Sequence, residues 1–174
     1  MLNTKDRSYY IVPFGTKVKA NAVLDFGEFY QELQRWFTYN GYTWQEVKYR
    51  VVENPDGSKQ VELRWFGVRK LDDYVSAEIQ MDLQVFHGDV EANIDGVKKK
   101  MQKGGFEFRL GSKLIKNWGD FWGSDKLKGW AEWKKEIYER FLIKDRLLSF
   151  ENIIGSDIMR LISEIKAYMK LYGA

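Results

Sequence analysis

An α+β domain, with a curved antiparallel β-meander packed against an N-terminal helix and C-terminal helices, is the fold class that this sequence predicts. Three observations predict it. Apolar and polar residues alternate with period two from Tyr42 to Leu110, apolar residues recur at helical spacing before and after that stretch, and turn residues separate the runs. The 174 residues are 44% hydrophobic and include 7 Trp, enough for one well-cored globular domain over residues 1–174. Prolines are confined to Pro13 and Pro55, and neither a low-complexity tract nor an internal repeat marks a linker between two domains.

Residues 8–23 hold two β-like runs, Ser8 to Phe14 and Thr16 to Val23. The second alternates Val18, Ala20 and Ala22 with Lys17, Lys19 and Asn21, and together they predict a strand or bent strand. At Asp25 the period changes. Phe26, Phe29, Tyr30, Leu33, Trp36 and Phe37 fall at helical spacing, Asp25 and Glu28 stand as N-cap and N3, and Asn40-Gly41 supplies a stop, so an amphipathic helix is expected. Period two then returns in Val47, Tyr49 and Val51, which alternate with Glu46, Lys48 and Arg50. Asn54-Pro55-Asp56-Gly57 sets Pro at the start of a turn and Gly where positive φ is wanted, and Val61, Leu63 and Trp65 complete a hairpin.

Val75, Ala77, Ile79, Met81, Leu83 and Val85, separated by polar residues, predict a strand with one buried and one wet face. His87-Gly88-Asp89 is expected to turn the chain into Val90, Ala92 and Ile94, and Asp95-Gly96 to turn it again. Gly104-Gly105 then leads, as a turn or bulge, into Phe106, Phe108 and Leu110, for a meander of about five strands. Helical spacing resumes after Gly111. A short segment from Leu114 to Trp122 precedes a longer one with Leu127, Trp130, Ile137 and Phe141 on a stripe expected to face the sheet. The last helix carries Ile158, Leu161, Ile162, Ile165, Met169 and Tyr172, opened by Ser156 or Asp157 and closed by Gly173.

This order of elements is similar to the helix-grip fold of START and Bet v 1-like proteins, in which a sheet wraps a long C-terminal helix and often leaves an apolar cavity. It departs from that fold in having one helix after the first strand and a C-terminal section broken into two or three helices. The run Val90 to Leu110, with Asp95-Gly96 and Lys98-Lys99-Lys100-Met101-Gln102-Lys103-Gly104, also resembles a stretch of small archaeal proteins. Neither resemblance transfers a ligand or a catalytic residue, because fold does not fix function.

Cysteine is absent, which excludes disulfides, thiolate zinc sites, cysteine-held iron–sulfur clusters and a cysteine nucleophile, and points to a reducing, cytoplasmic setting. One histidine, His87, excludes a zinc held by two or three imidazoles and leaves any Ser–His–acid triad dependent on that residue. Neither the roughly 7 to 15 apolar residues of a signal peptide nor an apolar stretch of about 18 residues occurs, so a secreted or membrane-spanning chain is not expected. Gly123-Ser124-Asp125-Lys126-Leu127-Lys128-Gly129-Trp130 lacks the spacing of a phosphate cradle, and no cofactor is predicted. The net charge of +3 is uneven. Residues 98–146 carry fourteen Lys and Arg against seven Asp and Glu, a local +7 that the remainder offsets by −4.

The candidate sites follow from these counts. His87 beside Asp89 has the composition of a general base with its orienting carboxylate, although a solvated turn is the plainer reading. Asp72-Asp73, or Asp82 with Glu78, would suit a divalent cation or acid–base work, but adjacent strand residues diverge and Asp is common in turns. Lys113, Lys116, Trp122, Lys126, Lys128, Trp133, Lys134 and Lys135 combine cations with aromatic rings, as an anionic-partner face requires. A core stripe with a solvated basic face is the plainer account. Trp44, Tyr49, Trp65, Phe106 and Phe108 would line a pocket for a small apolar ligand, or simply fill the core. The reading that results is a non-catalytic binding domain for a small apolar ligand or a protein partner. The alternative is nucleic-acid or ribosome-associated binding through residues 98–146, an anionic membrane surface being a further partner of that chemistry. A helix-grip-type cyclase or hydratase comes third.

Overall fold

The structure, a computed structural model, describes residues 7–94, 97–119, 122 and 129–171. Among these residues β1 (Ser8–Leu24), β2 (Thr43–Glu53), β3 (Lys59–Lys70), β4 (Val75–Ile94) and β5 (Val97–Lys116) form a curved antiparallel sheet in the order β1-β5-β4-β3-β2. The helix α1 (Phe26–Tyr39) follows β1. After β5 come α2 (Trp130–Ile137), a π-helical turn (Tyr138–Leu142) and α3 (Lys144–Leu171). The α+β class is the one the periodicities predict.

Several local signals act as the sequence predicts. Strand β1 is bent, its register against β5 shifting between Tyr10 and Thr16, where Pro13 removes a ladder donor and Gly15 takes φ 109°. The Asp25 carboxylate accepts from the Glu28 N–H at 3.0 Å and so satisfies an orphan donor of α1. The β2–β3 turn closes through Gly57, at φ 82°, which donates to Asn54 O at 2.9 Å.

Strands β4 and β5 differ from expectation. His87-Gly88-Asp89 does not turn, since β4 runs straight through it and pairs with β5 from Val75↔Lys116 to Ile94↔Val97 without a register shift. Gly104-Gly105 lies inside β5, and Leu114 to Lys116, expected to be helical, completes that strand. The glycine at 104 serves close approach instead of a turn, because a Cβ there would stand 1.9 Å from Phe86 O. Pairing with β3 ends at His87, so residues 88–94 pair with β5 alone and extend the sheet as a two-stranded arm. The expected turn at Asp95-Gly96 lies outside the described residues.

The inward residues of β4, from Val75 to Val85, are buried beneath the helices. Helix α3 packs on β1 and β5, and α1 reaches β2. Leu161, Ile165 and Met169 from α3 meet Phe29, Leu33 and Phe37 from α1 in one apolar cluster. Helix α3 begins well before Ser156 and passes through Gly155, which brings Leu147 and Ile154 into the core beside Ile158. Burying two such side chains, at about 1.5–3 kcal/mol each, exceeds the roughly 1 kcal/mol that a mid-helix glycine costs. Tyr172 and Gly173 lie outside the described residues. Among the described residues no helix is long and apolar enough to cross a membrane.

Candidate functional site

The segment after β5 presents its faces in the opposite sense to an ordinary amphipathic helix. Helix α2 buries none of its side chains. Trp130 and Trp133, and Phe141 and Leu142 on the π turn, face outward with 65%, 50%, 73% and 73% of their surface exposed. Lys135 and Glu139 turn inward, with side chains 14% and 0% exposed. The stripe expected to cover the sheet is therefore inverted at Trp130 and Phe141, while Ile137 is half-buried. Leu127, assigned to the same stripe, lies outside the described residues.

The cause lies beneath the helix. Period two in β5 carries Phe106, Phe108, Leu110 and Leu114 inward and lands next on Lys116, which is completely buried. A buried ammonium requires a partner, and Glu139 supplies it, with Lys116 Nζ 2.7 Å from Glu139 Oε2. Tyr74 Oη donates to Glu139 Oε1 at 2.5 Å. Burial first, and then that hydrogen bond, push the Tyr74 hydroxyl far above its ordinary pKa, so it stays a donor. Tyr9, whose ring centroid lies 5.8 Å from Lys116 Nζ, donates to Glu151 at 2.6 Å and is raised in the same way. The π turn closes with Ile143 N donating to Tyr138 O at 3.1 Å, and the residue it buries is Glu139. A π turn inserts one residue into the helical period. With Glu139 held against Lys116, Phe141 and Leu142 of the same turn stand in solvent.

On the outer side Trp130 and Trp133 stack with centroids 4.7 Å apart and planes at 22°. Lys134 Nζ lies 5.2 Å from the Trp130 centroid, and the Arg140 guanidinium 5.9 Å from that of Phe141. Arg140 also approaches Glu136 at 4.0 Å. The outward surface of residues 130–142 thus carries Lys134 and Arg140 against Glu132 and Glu136, four exposed groups that balance.

The residues chosen for an anionic-partner face are dispersed by the fold. Lys113 lies on the wet face of the sheet, 3.6 Å from Glu78, and Lys116 is in the core. Trp122 is half-buried against Tyr138, with centroids 5.6 Å apart, and its main-chain N–H donates to Asn117 Oδ1. Trp133 and Lys134 are on the ridge, Lys135 points inward, and Lys126 and Lys128 lie outside the described residues. Lys99 and Lys100 on the arm pair with Asp25 at 3.0 Å and Asp89 at 2.9 Å. The local +7 is a property of the sequence interval and not of one surface.

The proposed pocket residues also separate. Trp65, Phe106 and Phe108 are fully buried, and Trp65 is surrounded by Tyr30, Trp44 and Phe37 at centroid distances of 4.9, 4.9 and 6.1 Å. Tyr49 is 56% exposed at the sheet edge, away from Phe106 and Phe108 on β5. A groove of about 240 Å³ lies instead between α1 and α3, lined by Phe29, Leu33, Trp36, Leu161, Ile165 and Tyr168 among others.

Nor do the acid–base candidates assemble. Asp72 accepts from the N–H groups of Tyr74 and Val75 at 2.7 and 2.6 Å as turn chemistry, whereas Asp73 is exposed beside Lys70. Asp82 takes both ends of the Arg64 fork at 2.7 and 2.8 Å. Among the described residues no group of three or more His, Asp or Glu is placed to hold a metal.

His87 stands within a strand, buried against Phe26, its Nδ1 3.9 Å from Asp89 Oδ1 and so beyond hydrogen-bonding reach. Burial lowers its pKa, opposed by Asp89. A lowered imidazole pKa makes the unfolded chain the first to bind a proton, so stability falls as pH drops through about 6.5, the unfolded value. Urea unfolding at pH 7.5 and 5 is expected to show a larger loss for the native chain than for His87→Gln. Equal losses would refute this assignment.

Sequence reasoning missed Glu139, Tyr74, Trp130, Phe141 and Leu142 as site residues. The available signal was the inward parity of Lys116, continued from Leu114. In comparisons with known proteins the chain matches no family model, no curated protein and no solved structure.

Proposed function

We propose that this chain is a non-catalytic binding domain that docks the α2–π ridge into an apolar groove on a protein partner. The observation that carries this reading is the inversion of the segment, with Lys135 and Glu139 inside and Trp130, Trp133, Phe141 and Leu142 outside. Large exposed side chains clustered on one helical side serve no core, and Trp and Arg are the residue types that most often anchor interfaces. Trp130, Trp133, Ile137 and Phe141 follow the spacing of a helix laid into a groove. Charge selects the partner class. Nucleic acid and anionic lipid attract surfaces with net positive charge, whereas Lys134 and Arg140 are balanced here by Glu132 and Glu136.

A photo-reactive phenylalanine analogue at position 141, in cells that make the protein, tests this. One crosslinked protein is expected, competed by excess native chain and lost in Trp130→Ala/Trp133→Ala. That double variant is expected to keep its Tm within about 2 °C, because both rings are exposed. Crosslinks to lipid, to RNA or to a second copy, no crosslink, or a crosslink that survives the double substitution would each reject the reading.

A further inference from the structure

The two edges of the sheet differ. Along β1, Pro13 removes a donor, the register shifts twice, and Lys17 and Lys19 project, all devices that discourage pairing with another chain. Strand β2 occupies the other edge, pairs with β3 alone among the described strands, and has no proline. A single bulge, between Glu46 and Lys48, interrupts it.

The side chains of β2 are open as well. Tyr49 and Val51 stand opposite Leu63 and Val61 and so share the helix-covered face. Glu46 accepts from Tyr30 Oη at 2.7 Å and Trp65 Nε1 at 2.9 Å, which ties the near end of β2 to α1. Beyond that tie the helix gives no cover, and Tyr49 and Val51 are 56% and 46% exposed, as is Val47 at the bulge. On the wet face Lys48 and Arg50 meet one carboxylate, Glu62, which Lys48 engages at 2.5 Å. The edge therefore offers free backbone groups, an apolar inner side and a cationic outer side.

We propose that β2 accepts an extended, acidic segment of a partner protein as an added strand, with apolar side chains over Tyr49 and Val51 and carboxylates beside Arg50. Main-chain hydrogen bonds would supply affinity and the alternating side chains selectivity. Charge argues against a second copy of this chain. A two-fold antiparallel pair with Tyr49 opposite itself sets Lys48 against Arg50, and one with Tyr49 opposite Val51 sets Arg50 against Arg50. Like charges directly opposite one another destabilise a strand pair. The inference is independent of the ridge.

Fluorescence anisotropy with labelled peptides alternating valine with glutamate, or valine with lysine, tests it. The glutamate peptide is expected to bind at least tenfold more tightly than the lysine peptide, to lose binding when its backbone is N-methylated, and to lose it in Tyr49→Lys. Circular dichroism checks that this variant folds, and Trp130→Ala/Trp133→Ala is expected to bind the peptide like the native chain. Equal binding of the two peptides, no binding of the glutamate peptide, indifference to Tyr49→Lys, or dimerisation through β2 in sedimentation experiments would overturn the proposal.

Discussion

Glu139→Ala is expected to lower the unfolding free energy by about 3–5 kcal/mol, which is what removing one partner of a buried ion pair typically costs. The substitution takes away the carboxylate 2.7 Å from Lys116 Nζ, and with it the acceptor of Tyr74 Oη, in a site where both members of the pair have no exposed surface. Lys116→Met/Glu139→Leu is expected to recover part of the loss, because it leaves neither charge buried and keeps similar volume, while Tyr74 Oη still lacks the acceptor that Glu139 supplied. Urea unfolding of Glu139→Ala and of the double variant measures this, and a Glu139→Ala loss below about 0.5 kcal/mol, the level of an ordinary surface change, would show that the pair is not buried. The double variant has a second readout. It removes the attraction that holds Glu139 inward, so crosslinking through position 141 is expected to fall even where stability is partly restored.

Gly104→Ala is expected to cost about 3 kcal/mol or more, toward the upper end of overpacking. Its Cβ would stand 1.9 Å from Phe86 O and 2.7 Å from His87 Cα, main-chain atoms of the paired strand that cannot turn aside as a side chain can. Gly88→Ala, one strand away with nothing within 4 Å of its Cβ, is the control and is expected to change stability by less than about 0.5 kcal/mol. Thermal or urea unfolding of both variants decides, and equal effects would refute the close approach.

These two glycines show where local reading stops. In the sequence Gly88 and Gly104 look alike, each a candidate turn beside a strand. Gly57 and Gly41 are read correctly because their role, a positive φ after Asp56 and after Asn40, is set by immediate neighbours. The role of Gly104 depends on Phe86, which is brought to it by strand pairing. The Asp25 cap was legible for the same reason as Gly57, since its donor lies three residues away. The Lys116–Glu139 pair spans twenty-three residues, so only the parity of Lys116 hinted at it. Periodicity identified a helix with two faces around Trp130, but periodicity is silent on which face turns in.

Alternation, capping and turn residues by themselves determined the α+β class, the helix–meander–helix order and the inward residues of β4, because each depends on interactions between near neighbours. The absence of cysteine and the single histidine likewise bounded the chemistry without any coordinates. Only the tertiary structure decided that β4 and β5 run unbroken, that the basic interval is dispersed, and that the aromatic stripe of α2 faces outward. The reason in each case is a partner distant in sequence: Phe86 against Gly104, the acidic residues that meet the arm lysines, and a buried ammonium at Lys116 that draws Glu139 inward and leaves Trp130 and Phe141 in water.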